Sequence, residues 1–432
     1  MKRLRTASAV AAVLGWAYVA LAPAVQAQSR PLVTPEVAPV YQRLLPAISA
    51  IKIFDHHAHP GLAGDPEVDP APALPGSAPF RLRPDNPDWA AATRALFSPT
   101  SKAQLKKLNP GPKYFNAILD RLGIETSVAN RITMSPDLDP ARFKWVFYID
   151  PVLFPFDNAG LAARNPDQTL FMPNQTKLRQ RFQQQAGLSE LPASLDDYLA
   201  FVTHVLDDHK RRGAIAAKFE VAYLRSFVFD DPPRDVAESI YTAYRRGGTP
   251  GTSEYKAFQD FVFRYILVEC GRLHLAVHIH SSAGSGDYFN VSSANVMNLE
   301  NVLRDPRYLS TTFVLIHGGY PFEHQAITLA SMPNVWLDSS GTGSFVMFPD
   351  QFKRVLRDWL ETYPDKITFG TDAFPVDEKM GAEEIYWMGV HNGRTALAAA
   401  LAEMIVAREF SESQAMAMAH GYLHDNAANL YK

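Results

Sequence analysis

Short apolar runs alternate with longer stretches of helical periodicity through the second half of the chain. The runs lie at 214–219, 275–280, 312–317, 335–338 and 367–372, and helical patterns at 255–271, 294–303, 321–332 and 349–362 separate most of them. Strand, helix, strand in alternation predicts βαβ units and a parallel sheet, because a parallel strand needs a long crossover and is apolar on both faces. The first half is less regular. A helix is predicted over 36–49, then a brief apolar run at 51–54 that ends in Asp55-His56-His57-Ala58-His59-Pro60. Residues 60–90, rich in Pro, Ala and Asp, read as a long loop. A helical pattern over 88–121 is interrupted at Asn109-Pro110-Gly111-Pro112, strands are expected at 126–132 and 145–149, and another helical stretch covers 174–212. Adding the early runs predicts eight strands. This is the count of an α/β TIM barrel, (β/α)₈, with helical insertions that fall at about 60–210.

The polar residues sharpen this picture. The late runs carry one at or near each end: Lys218, His280, His317, Asp338 and Asp372. In a TIM barrel the C-terminal strand ends form the active-site face, whereas a doubly wound sheet offers no closed ring of them.

Composition changes little. The 432 residues suit a decorated barrel, and the net charge of −3, with no basic stripe in the body of the chain, argues against nucleic-acid or anionic-membrane partners. Lys2, Arg3 and Arg5, the apolar stretch 9–21 and the small residues of Val25-Gln26-Ala27 form a secretory signal pattern. The expectation is cleavage after Ala27, a functional body over 28–432, and a periplasmic or secreted location. An uncleaved anchor is the alternative, although the stretch is short for a span. Cys270, alone in the chain, excludes an internal disulfide and reads as a buried small residue. No Gly-x-Ser-x-Gly elbow, complete dinucleotide fingerprint or P-loop is present.

His57 and His59 stand two apart, so on a strand both imidazoles face one side, an arrangement that suits a divalent metal such as zinc. Alone, such a pair is often just two polar residues at a strand end. His280, His317 and Asp372 repeat the same ending on other strands and favour the metal. His278 shares a face with His280. It reads as a donor behind a ligand, a substrate contact or a satisfied core histidine. Lys218, on a run that is otherwise apolar, needs a partner such as Glu220 or Asp372, or a chemical change. Arg225 is a candidate bidentate contact for a substrate carboxylate, or a surface arginine. His56 is expected to point away from its neighbours, and His204, His209, His274, His324, His391, His420 and His424 have no matching partners.

These segments resemble the amidohydrolase superfamily, in its amidohydrolase-related branch. Phe54-Asp55-His56-His57-Ala58-His59-Pro60 is similar to the Asp-x-His-x-His opening. Leu315-Ile316-His317-Gly318-Gly319-Tyr320-Pro321-Phe322 is similar to the sixth-strand segment, Thr368-Phe369-Gly370-Thr371-Asp372 to the eighth-strand ending, and the segment from Tyr422 to Tyr431 to the closing helix. The resemblance runs from about Ile51 onward and matches poorly over 60–210. It implies a distorted barrel with one or two divalent ions, most often zinc. His57, His59 and Asp372 would hold the more buried ion, and His280 and His317 a second, bridged by a carboxylated Lys218. In single-metal members His280 completes the first site and His317 acts on the substrate. Asp372 is then the expected general base. Three readings compete: hydrolysis of a C–N or ester bond in a small molecule, metal-dependent decarboxylation, and an inactive binding descendant. Homo-oligomer formation stays open.

Overall fold

Eight short strands run side by side in chain order, every neighbouring pair parallel. They are β1 (Ile53–Ala58), β2 (Ile124–Asn130), β3 (Phe143–Tyr148), β4 (Ala214–Phe219), β5 (Ala276–His280), β6 (Phe313–Ile316), β7 (Val335–Asp338) and β8 (Ile367–Thr368). This computed structural model describes residues 31–69, 77–284 and 286–432, so the signal pattern at 1–27 lies outside the described residues. Backbone bonds from His56 N to Phe369 O (2.8 Å), Asp372 N to His57 O (2.6 Å) and His59 N to Ala373 O (2.7 Å) join the segment after β8 to β1 and close the ring. The fold is a (β/α)₈ TIM barrel. Its strands read as apolar runs because they are buried on both faces.

The helices used below are α1 (Ala38–Ser49), α2 (Pro166–Gln185), α3 (Leu195–Arg211), α4 (Thr252–Leu273), α5 (Pro349–Thr362) and α6 (Ala382–Val406). Helix α5 occupies the predicted residues. Helix α6, the longest among the described residues, is buried along most of its length, so its sequence carries no polar face and no amphipathic period. Its start is satisfied by Glu384, whose carboxylate accepts from Gly381 N (3.1 Å). The stretch 60–210 is not one helical insertion. It contains β2 and β3 as well as α2, α3 and four shorter helices. Its poor legibility follows from that mixture.

Inside the barrel, Phe54, Val128, Val146, Ala216 and Ala276 supply one buried residue from each of β1–β5 and meet Ala427 of the last helix, Asn426–Leu430. Tyr431 stacks on Phe54, with ring centroids 6.3 Å apart and planes at 15°. The C-terminal segment therefore closes the barrel floor, leaving the opposite end for chemistry.

Candidate metal centre

The register of β1 slips between Asp55 and Ala58, which is a bulge. Phe54 and His56 face the interior on one phase, and His57 and His59 on the other. His56 thus does not point away. Its ring lies 4.9 Å from that of His278, on β5. Asp55 faces the other way and ties β1 to its neighbours, accepting from Ser127 Oγ (2.7 Å) and Thr371 N (2.7 Å). Burial raises its carboxyl to about 8, against the pull of those hydrogen bonds.

His57 and His59 converge on Asp372. Asp372 Oδ1 lies 3.3 Å from His57 Nε2 and 3.4 Å from His59 Nε2, and Oδ2 lies 3.8 Å from His317 Nδ1. Ligand atoms of His57, His317 and Asp372 all fall within 4.8 Å of one another. Asp372 (φ 53°) and His317 (φ 69°) both hold the left-handed backbone region, which is costly for residues with a Cβ and common at functional sites. Gly341 lies against them. A Cβ there would come within 2.9 Å of Asp372 Oδ2 and 3.1 Å of His317 Nδ1, at a φ of +66°.

The remaining predicted residues sort by depth. His280, at the end of β5, packs its ring 4.7 Å from that of His317, and its buried Nε2 has no hydrogen-bond partner among the described residues. Lys218, on β4, is buried with Nζ 3.4 Å from His57 Nε2. His278 lies deeper and is bonded to Tyr431 Oη at 2.5 Å. Arg225 does not face the centre either. It is buried, pairs with Asp260 at 2.6 Å and lies over the Phe229 ring at 4.2 Å. The loop after β4 turns it outward to a carboxylate on α4.

Three further groups join the centre. Asn130, at the end of β2, stands 2.9 Å from His57 Nδ1, and Tyr148, at the end of β3, holds its hydroxyl 3.1 Å from His59 Nδ1. Asp69 approaches the same nitrogen at 3.6 Å. The polar strand-end rule applied to β2 and β3 would have found Asn130 and Tyr148. Asp69 lies in a loop without periodicity. His317 Nδ1–H donates to the Ser340 carbonyl (3.1 Å), which leaves Nε2 with its lone pair. Beneath, His278 Nε2–H donates to Tyr431 Oη, which donates to His56 Nε2 (2.7 Å), and His56 Nδ1–H donates to Asp338 (3.2 Å).

Electrostatics keep the imidazoles neutral. Burial, reinforced by nearby cationic groups, holds His57 and His280 well below the usual histidine value, and burial also lowers His317. Burial depresses the Lys218 ammonium and raises Glu220 well above the carboxylate range. Burial alone would raise Asp372, but His317 and the hydrogen bonds from His57 and His59 hold it well below its ordinary value. Neutral imidazoles beside an ionised carboxylate are the donor set of a divalent cation. The 3.3 and 3.4 Å donor separations fit as well. Ligands bound at about 2.1 Å in a tetrahedral site stand about 3.4 Å apart. The residues present fit such an ion.

The Amidohydrolase family model (Amidohydro_2) matches residues 164–432, more than half of the chain. The chain belongs to the amidohydrolase family. A curated relative, protein fluG of Emericella nidulans, is 28% identical to this chain over 160 residues, which are 36% of this chain and 17% of that protein. Among solved structures, a metal-dependent hydrolase from Lactobacillus casei superposes with a TM-score of 0.65 at 15% identity, covering 90% of this chain and 97% of its own. Uronate isomerase from Thermotoga maritima gives a TM-score of 0.57 at 11% identity, covering 93% and 98%. At such identities the two structures speak for the amidohydrolase barrel and not for its reaction.

Proposed function

We propose that the protein is a metal-dependent hydrolase that cleaves a C–N or ester bond of a small molecule with water. The observation that carries this reading is the convergence of His57, His59 and His317 on the two oxygens of one carboxylate, Asp372. A divalent cation, zinc foremost, held by His57, His59 and Asp372 would bring the pKa of a water down to about 7 and polarise a carbonyl. His57 and His59 occupy Asp372 Oδ1, so Oδ2 is the atom that takes a proton from the attacking water and returns it to the leaving group. His317, with its Nδ1 proton held by Ser340, offers Nε2 to the substrate or to a second ion. His280 Nε2, buried and without a hydrogen-bond partner among the described residues, has the same two uses. Lys218 either bridges two ions as a carbamate or stays an amine beside His57, and the ion count, one or two, follows from which it is.

The test is metal analysis of purified protein together with product analysis on a panel of small amides and esters. One or two equivalents of divalent metal and a new amine or alcohol are expected. Metal-free protein that zinc, manganese and cobalt fail to activate would remove the hydrolase reading. Release of carbon dioxide with no amine or alcohol would replace it with decarboxylation. The N-terminal pattern supports an exported enzyme, periplasmic or secreted.

A further inference from the structure

A cavity of about 270 Å³ opens among the helices outside the barrel, where α6 meets α1 and the helices Pro87–Phe97 and Lys113–Leu122. Its basic side chains are Arg121 and Arg394. Arg394, half-buried, donates to the carbonyls of Ile51 (2.8 Å) and Leu122 (3.0 Å), which stand just ahead of β1 and β2. That end of the cavity therefore lies at the strand starts, whereas the candidate metal centre lies at the strand ends.

Among the described residues neither arginine is paired with a carboxylate. Arg121 is exposed and gives one N–H to the Leu96 carbonyl. Burial draws the Arg394 guanidinium down to about 10, with no anion beside it to oppose the shift. No acidic residue lines the cavity. Asp88, the carboxylate that acts on His391, is paired with Arg81 at 2.6 Å, and Asp120, next to Arg121, with Arg142 at 2.9 Å. Carbonyls satisfy hydrogen bonds but bring no net charge. Two cations in one recess without a counter-charge make a positive field that favours an anion.

The rest of the lining suits an organic molecule better than a bare ion. Leu45, Ala95, Leu96, Leu122 and Val390 offer apolar contact, and the Trp387 and His391 rings stack 4.6 Å apart at 7°. Ser49 and Thr395 add hydroxyl donors. Apolar walls with a few converging polar groups are the ordinary make-up of a small-molecule site.

We propose that this recess binds a small organic carboxylate, with its head group on Arg121 and its apolar body among the leucines and Val390. The remaining N–H groups of Arg121 take the carboxylate oxygens. Arg394, whose N–H groups are turned to the backbone, contributes its charge from a distance. An ammonium would meet two cations, and a neutral ring would leave both without a counter-charge. The site is independent of the hydrolase reading and needs no metal.

The experiment is calorimetric titration and thermal unfolding of the purified protein with benzoate, benzyl alcohol, benzylammonium and inorganic phosphate as probes. Benzoate is expected to bind and to raise Tm, because a ligand of the folded state stabilises it, and the other three are expected to bind more weakly. Arg121→Gln keeps a donor for the Leu96 carbonyl but loses the charge, and should weaken benzoate by about tenfold, the scale of a charge-assisted hydrogen bond. Ala95→Trp, at an exposed helix position, fills the recess and should abolish binding. It keeps the test decisive if Arg121→Gln fails to fold. No benzoate binding, or benzyl alcohol, benzylammonium or phosphate binding as tightly as benzoate, would overturn the site. Benzoate binding that survives Ala95→Trp would overturn it too, by placing the benzoate elsewhere, the metal centre included.

Discussion

Asp372 turns its two oxygens to different partners. Oδ1 is turned to His57 and His59, whereas Oδ2 faces His317 across 3.8 Å. Asp372→Asn keeps an oxygen for metal and should leave fold and metal content largely intact while kcat falls by at least about 100-fold, the lower end of general acid–base contributions. His57→Ala removes a buried donor and should lose metal and activity together. Measuring kcat and bound metal on both variants separates the roles. Asp372→Asn with full metal and near-normal kcat would leave His317 as the better base.

At the scale of elements, two contacts make predictions about stability. The C-terminal segment enters the barrel floor through Tyr431, which joins His278 to His56. Tyr431→Phe fits the same space but strands two buried nitrogens, so urea denaturation should show a loss of about 1–3 kcal/mol. Helix α3 lays His209 flat on Phe147 of β3, with centroids 4.0 Å apart, and burial lowers its pKa to about 4. The folded state therefore favours neutral His209, and the unfolded chain takes up the proton first as pH falls. The associated stability is present above about pH 6.5 and is lost down to about pH 4, a difference of up to about 3 kcal/mol. His209→Phe should flatten the stability curve across that window relative to wild type. An unchanged slope would show that His209 does not drive it.

For the whole molecule, residues 33–432 form one compact body, and among the described residues no helix is long and apolar enough to cross a membrane. The N-terminal pattern is a separate matter, carried by residues outside that body. Expression in a host with a secretory system should yield exported protein beginning at Gln28, because small residues occupy the −3 and −1 positions. N-terminal sequencing decides it, and a soluble form that retains Met1 would contradict cleavage.

The sequence by itself determined the barrel and most of the polar residues that end its strands. Strands buried on both faces must be apolar, so 214–219 and 335–338 stand out without any knowledge of their neighbours. A polar residue ending such a run is a local feature too, which is why His59, His280, His317 and Asp372 were legible. Only the tertiary structure decided depth and direction. A one-residue register slip in β1 turned His56 inward, a change that no periodicity encodes. His278 and His280 share a face, but only the arrival of Tyr431 from the far end of the chain commits the deeper one to the floor. Arg225 was drawn to Asp260 on α4, 35 residues along the chain, because a buried guanidinium needs a carboxylate more than a strand end needs a cation. Helix α6 escaped notice for the opposite reason: burial on nearly every side erased the polar stripe by which a helix is read.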